Sequence, residues 1–285
     1  MILFKNVKAL QQHLADFKSG TGNLGWVPTM GALHAGHISL LNAARSKCRW
    51  VICSIFVNPT QFNDRNDFRN YPITLDKDIS LLEENGVDLL FLPGMNEIYP
   101  DGTERLEKYN LGKLESILEG QYRPGHFQGV CQVLHRLGDI LKPDHLFMGQ
   151  KDFQQCMVVK RLLEITHSGI TLHTCSTLRE PDGLAMSSRN MRLNETQRKN
   201  AIAIYEALNF LKKNLKKGSL VELIEKAKDI LSSRDFRTDY VAIADPATLE
   251  TCKNWDGQQA LVGLIAAFQQ EIRLIDNMVL AGNIY

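Results

Sequence analysis

Apolar positions along this chain follow two rhythms. Short continuous runs, Leu24 to Pro28, Trp50 to Val57 (WVICSIFV), Val87 to Leu92, His145 to Met148 and Ile170 to Cys175, read as strands, several of them buried on both faces. Between the runs, apolar residues recur at helical spacing. Ile38, Leu41 and Ala44 or Arg45 form one stripe, and Val130, Val133, Leu134, Leu137 and Leu141, closed by Pro143, form a stronger one. Thr74 is placed to cap a helix running to about Asn85, with Asp76 and Asp78 in its first turn and Gly86 at its end. Asp152 to Thr166 reads as a further helix. Repeated strand–helix units predict an α/β fold, a Rossmann-like parallel sheet with helices on both faces, over residues 1–178. From residue 179 the rhythm changes. A polar loop leads into long helices near 194–217 and 219–233, then strands near Tyr240–Ala244, Ala260–Phe268 and Ile272–Asp276. Residues 179–285 are therefore expected to form a smaller C-terminal α+β domain.

Composition narrows the class. Hydrophobic residues at 44% and charged residues at 23% supply a core and argue against disorder. A net charge of +1 gives no bulk case for a nucleic-acid partner. The lysines 212, 213, 216 and 217 fall at helical spacing and read as a solvated helix face. None of the six cysteines forms a CxxC pair, so reduced buried thiols are expected. The start, MILFKNVKAL, lacks a signal-peptide pattern, and no apolar run reaches the roughly 18 residues of a membrane span. A cytoplasmic protein without membrane attachment is the expectation.

Candidate chemistry begins at VPTMGALHAGHISLL, Val27 to Leu41, where His34 and His37 stand three apart at the mouth of a helix. Zinc fits poorly: the helical zinc pair is four apart with an intervening Glu, and here Ala35 and Gly36 intervene. A phosphate fits better. The stretch follows a strand and opens a helix, where free N–H groups and the dipole attract anions and where open parallel sheets bind ligands. Gly31 and Gly36 would allow close backbone approach. Equally, the two histidines read as polar caps on a loop. Further stretches invite the same two-sided reading. Asn58 and Gln61 of SIFVNPTQF offer neutral amides for hydroxyls or carboxylates, or belong to a turn. RPGHFQGV, Arg123 to Val130, is a turn before the strongest helix and receives no catalytic step. MGQKDFQQ places Lys151 at a strand end, with Asp152 as a possible helix cap. EPDGLAMSSRN carries Ser187, Ser188 and Arg189, a phosphate-gripping set or an ordinary polar loop.

Together these strings resemble a known family. HAGH resembles the HxGH signature of the nucleotidyltransferase superfamily, and PTMGALHAGH, with the other four stretches, closely resembles the pantoate–β-alanine ligase family. The resemblance implies ATP-dependent condensation of pantoate with β-alanine through a pantoyl adenylate, releasing AMP and pyrophosphate. It implies catalytic roles for His34, His37, Lys151 and Arg189. ATP would be bound by Met30, Gly31, Ala32, Leu33, His34, Ala35, Gly36 and His37, by Gly149, Gln150, Lys151 and Asp152, and by Leu178, Met186, Ser187, Ser188 and Arg189. Pantoate and β-alanine would be bound by Gln61, Asn58 and Gln155. Mg²⁺ would be held mainly by the ATP phosphates, with no metal assigned to protein side chains. A homodimer through the first domain and a second domain acting as a lid are implied as well. The chain departs from the family pattern at Ala35, Ile73 and Gln150, where an acid, an Arg and a Glu are usual. Two rival expectations stand beside this one: another HxGH-type adenylyltransferase, which would need a basic pocket for an acceptor phosphate, and a silent nucleotide-binding protein.

Overall fold

The computed structural model describes residues 1–18 and 22–283. Contacts divide the chain into two units. The first takes in Met1–Ser116, Arg123–Gln150 and Gln155–Ser176. The second takes in Ile117–Tyr122, Lys151–Gln154 and the chain from Thr177 onward.

The first unit is built on six parallel strands: β1 (Ile2–Phe4), β2 (Leu24–Thr29), β3 (Trp50–Ile55), β4 (Leu89–Phe91), β5 (His145–Gly149) and β6 (Thr171–Cys175). Their order is β1-β4-β3-β2-β5-β6. The chain works outward from β2 in one direction, then returns to the other side of β2 with β5, so the strand order reverses between β2 and β5. Alternate strand residues enter two separate cores. Trp26, Ile52, Leu89, Phe91, Leu146 and Met148 pack on one face with helices Val7–Lys18 and His126–Leu141. Val27, Val51, Cys53, Ile55, Leu90 and Phe147 pack on the other with helices Ala35–Lys47 and Leu75–Glu84. Continuous apolar runs are what a sheet covered on both faces requires. The parallel sheet with flanking helices agrees with the α/β expectation.

The second unit has an antiparallel sheet of Phe236–Ala244, Leu261–Gln269 and Ile272–Ala281, with Leu261–Gln269 in the middle. Helices Ala203–Lys213 and Val221–Ser232 contribute Leu208, Leu211, Ala227 and Leu231 to its core. The smaller C-terminal sheet domain agrees with the α+β expectation.

Local corrections are informative. The helix expected near 194–217 is two helices, Glu195–Ala201 and Ala203–Lys213, meeting at Ile202. Asp152 does not open its helix. Gln150–Asp152 is a 3-10 turn, and the α-helix runs Phe153–Ile165. Thr74 holds the N-cap position without making a side-chain cap, and its hydroxyl donates to Asp78 Oδ1 at 3.0 Å instead. The last strand continues past Asp276 to Ala281, because Asp276 and Asn277, which look like strand enders, find buried partners.

Candidate active site

In open parallel sheets ligands bind beyond the carboxyl ends of strands, where the strand order reverses. Here β2 ends at Thr29, beside that reversal. Thr29 Oγ1 donates to Ser54 O at 2.9 Å and accepts from Gly31 N at 3.3 Å, which turns the chain off the sheet. Gly31 (φ +81°) and Ala32 (φ +50°) are both left-handed. That conformation costs a non-glycine residue about 1–2 kcal/mol. Asp78 supplies the compensation. Its two oxygens accept from Ala32 N (2.9 Å) and Leu33 N (2.8 Å), and the residue is 2% exposed. Asp78 therefore holds the loop that presents the histidines. By spacing alone Asp78 reads equally as a helix N-terminal acid or as a magnesium contact, and neither reading contains this role.

His34 is the N-cap of helix Ala35–Lys47. Its Nδ1 accepts from Gly36 N at 3.1 Å, and His37 Nδ1 accepts from His34 N at 3.3 Å. This is a reciprocal capping box made of two histidines rather than Ser and Glu. A ring whose Nδ1 accepts from a backbone N–H carries its proton on Nε2 when neutral. The rings lie 4.1 Å apart at 39°. The capping reading is thus met by Nδ1 of each ring, and Nε2 is the other polar atom each ring carries. Gly36 takes an ordinary helical place, so the freedom to turn resides in Gly31.

Asn58 and Gln61 occupy the turn after β3, with Pro59–Gln61 a single 3-10 turn capped by Asn58. Asn58 is 1% exposed and its amide is engaged with protein. Its Nδ2 donates to Gly129 O (3.0 Å) and Gln61 Oε1 (3.3 Å), and its Oδ1 accepts from Tyr99 OH (3.1 Å). Burial raises the Tyr99 phenol, keeping it a donor. Asn58 thus holds Gln61, whose Nε2 contacts Met30 Sδ at 3.0 Å. The RPGHFQG string supports the same turn from behind. His126 Nδ1 lies 2.8 Å from Gln61 O, and Arg123 Nη1 lies 3.0 Å from His126 Nε2. A Cβ at Gly129 would stand 2.4 Å from Thr60 O, so only glycine permits this approach. Gln155 is half-buried in the first turn of its helix, and Ile73 is 80% exposed.

In the second unit, Lys151, Ser187, Arg189, Asn190, Arg273 and Asp276 line one small cleft. Lys151 Nζ donates to Asp152 Oδ1 at 3.1 Å. Ser187 caps a 3-10 turn, Ser188–Arg192, and its Oγ accepts from Arg189 N at 3.3 Å. The Ser187 hydroxyl proton can therefore point elsewhere. Ser188, by contrast, is buried and does not line the cleft. Leu178 and Met186 are joined by Met186 N donating to Leu178 O at 3.0 Å, so the loop folds back as a narrow hairpin. Gly149 ends β5, and Gln150 follows in the 3-10 turn.

A model of the pantoate-beta-alanine ligase family matches residues 2–279. The chain belongs to the pantoate-beta-alanine ligase family. A pantothenate synthetase of Phocaeicola vulgatus is 40% identical over 284 residues, covering 99% of this chain and 100% of the relative. One of Cytophaga hutchinsonii is 40% identical over 98% of this chain and 99% of the relative. The crystal structure of the Thermus thermophilus pantothenate synthetase superposes with a TM-score of 0.90 at 38% identity, covering 99% of this chain and 100% of that one. A Francisella tularensis pantoate-beta-alanine ligase, solved with beta-gamma ATP and beta-alanine, gives a TM-score of 0.83 at 36% identity over both full chains. Family membership makes the chain a ligase.

Proposed function

We propose that this ligase joins pantoate to β-alanine in two steps at the expense of ATP. A pantoate carboxylate oxygen attacks the α-phosphorus and pyrophosphate leaves, giving pantoyl adenylate. The β-alanine amine then attacks the acyl carbon and AMP leaves. The observation that carries this reading is the histidine capping box. It fixes two ring N–H donors at a helix N-terminus beside the strand-order reversal, in a chain of this family. His34, His37, Lys151, Ser187 and Arg189 would offset charge on the phosphates. Such charge stabilisation contributes about 3–4 kcal/mol per well-placed donor. Main-chain and side-chain groups of residues 30–37, 149–152, 178 and 186–189 would bind the nucleotide. Gln61 and Gln155 would hold pantoate, with Asn58 acting through Gln61, which is catalysis by positioning.

Mg²⁺ would arrive on the nucleotide phosphates and supply further charge neutralisation. Among the described residues there is no cluster of three or more His, Cys, Asp or Glu side chains to hold it alone. Acyl adenylates hydrolyse in water, so the residues from 179 onward would act as a lid during the reaction. The proposal includes a homodimer formed through the first unit, testable by sedimentation, and a cytoplasmic setting. Among the described residues no helix is long and apolar enough to cross a membrane.

The experiment is pyrophosphate release from ATP, Mg²⁺ and pantoate, followed by addition of β-alanine. A burst of about one enzyme equivalent, then turnover with AMP and pantothenate formation once the amine is present, is expected. Release only with a phosphate-bearing acceptor would point to an adenylyltransferase. ATP binding with no release under any condition would point to a silent nucleotide-binding protein.

A further inference from the structure

Two adjacent residues of the C-terminal strand are polar and almost fully buried: Asp276 at 4% and Asn277 at 3% exposure. Acid and amide side chains are poor strand residues, and burying them is costly unless they are paired. Apolar residues would serve the sheet better, so their partners explain them. Asn277 Nδ2 donates to the main-chain carbonyl of Lys151 at 2.9 Å. Asp276 accepts two bonds from the Arg179 guanidinium, Nη1 to Oδ2 at 2.6 Å and Nη2 to Oδ1 at 3.1 Å. The same guanidinium donates to Asn277 O at 3.2 Å and Gly183 O at 3.1 Å. Asn277 N closes the set by donating to Asp276 Oδ1 at 2.8 Å.

Arg179 opens the hairpin that leads into Ser187 and the turn holding Arg189. A backbone bridge pairs Arg179 with Ala185, and Asn190 Nδ2 donates to Ala185 O at 3.0 Å. One strand thus grips the base of the lysine segment with one residue and the base of the serine–arginine loop with the next. Successive side chains of a strand point to opposite faces. The pair therefore ties both segments to a single backbone.

We propose that Asn277, together with Asp276, is the positioning residue of the phosphate-binding cleft, setting Lys151 in register with Ser187 and Arg189. Neither Asp276 nor Asn277 is asked to touch substrate. The inference rests on the ATP-dependent reading given above. Its physical content is that a lysine on a 3-10 turn has a long side chain whose aim depends on where its backbone is held. A misplacement of about 1 Å costs up to about 100-fold in rate.

The test uses Asn277→Asp, which keeps the shape of the side chain and removes the Nδ2 donor. Burst kinetics of pyrophosphate release separate two quantities, because amplitude counts competent sites and rate reports chemistry. N277D is expected to keep an amplitude near one per enzyme while its burst rate falls on the order of 10- to 100-fold. KM for pantoate, set by the Gln61 turn, should stay within about twofold. In a Lys151→Ala background the same substitution should cost less than about twofold, because residues acting through one another are not additive. Asn277→Gln, which retains a donor, should recover part of the rate. A wild-type rate in N277D would overturn the proposal. So would a lowered amplitude at normal rate, which marks a purely structural role, or losses that multiply in the double variant. Wild-type protein that released no pyrophosphate with pantoate would sink the ligase reading, and this inference with it. A normal wild type beside an unaffected N277D would sink the positioning role alone.

Discussion

In the parallel-sheet unit, His34 and His37 are aimed by bonds to residues two or three positions away and Asn58 reaches Gln61 three positions on, while Asp78 and Gly129 brace these turns from 46 and 71 positions away. In the C-terminal unit, the corresponding bonds come from far along the chain. Arg179 is held from 97 residues away and Lys151 from 126. The segment Ile117–Tyr122 is held from 154 away, by Arg273 Nη1 and Nη2 donating to the two oxygens of Glu119 at 2.8 and 2.7 Å. Strand ends and helix mouths supply groups of their own in an α/β sheet, namely free N–H donors and a dipole. A cleft beside an antiparallel sheet has no such feature, so its cations must be located by side chains from elsewhere.

This contrast can be broken most forcefully at Glu119. It accepts from Arg273 and from Tyr240 OH at 2.8 Å, and burial followed by the Glu119 charge pushes the Tyr240 phenol well up. Glu119→Leu strands a buried guanidinium whose remaining partner is Asp239 at 2.8 Å. Loss of about 3–5 kcal/mol is expected in urea unfolding of the C-terminal unit, because one partner of a buried pair is removed. A change below about 1 kcal/mol would mean that these distant bonds are not what organises the unit.

His37→Ala comes next. It removes one proposed phosphate donor and should slow the pyrophosphate burst by about 100- to 1,000-fold. Unfolding should shift far less, by about 0.5–2 kcal/mol for a lost cap. Equal loss in both measurements would make the histidine a structural cap and nothing more. Gly129→Ala drives a methyl group into the Thr60–Gln61 backbone. Overpacking of this kind costs about 1–3 kcal/mol. It should raise KM for pantoate more than it lowers the burst rate, and an unchanged KM would separate Gln61 from pantoate binding.

The smallest effect sharpens the comparison from the surface. Arg198 Nη1 donates to Asp182 Oδ2 at 2.7 Å and holds that carboxyl below the usual range. A carboxyl lowered in the folded state stabilises above its unfolded pKa, and the benefit fades as pH falls through the lowered value. Both side chains are more than a third exposed. Asp182→Asn should therefore cost only about 0.2–1 kcal/mol near neutrality and nothing in strong acid. A larger loss in thermal unfolding would show that the hairpin itself, rather than Asp276, anchors Arg179.

The same contrast explains what could be read from residue order. Strands such as Trp50–Ile55 and the helix His126–Leu141 were visible because burial on fixed faces imposes a period. The histidine loop was visible because its glycine, its helix and its two histidines lie within ten residues. Asp78 was not. An acid four residues past Thr74 looks like an ordinary helix-start charge, and only the fold brings it to the N–H groups of Ala32 and Leu33. Ser188 looked equivalent to Ser187, yet one 3-10 turn buries it. The roles of Asp276 and Asn277 were illegible for the same reason as Glu119: a residue's order in the chain carries no mark of a partner a hundred positions away.

The interleaving of the two units has an evolutionary side. The chain passes from one unit to the other five times, after residues 116, 122, 150, 154 and 176. A gene fragment beginning near residue 177 would encode the antiparallel sheet without Glu119, Lys151 or Gln154, and would leave Arg273 and Asn277 reaching for groups encoded elsewhere. Recombination at a single point could not carry this unit whole onto another parallel sheet. A cut near residue 177 would separate the antiparallel sheet from the groups that Arg273 and Asn277 bind.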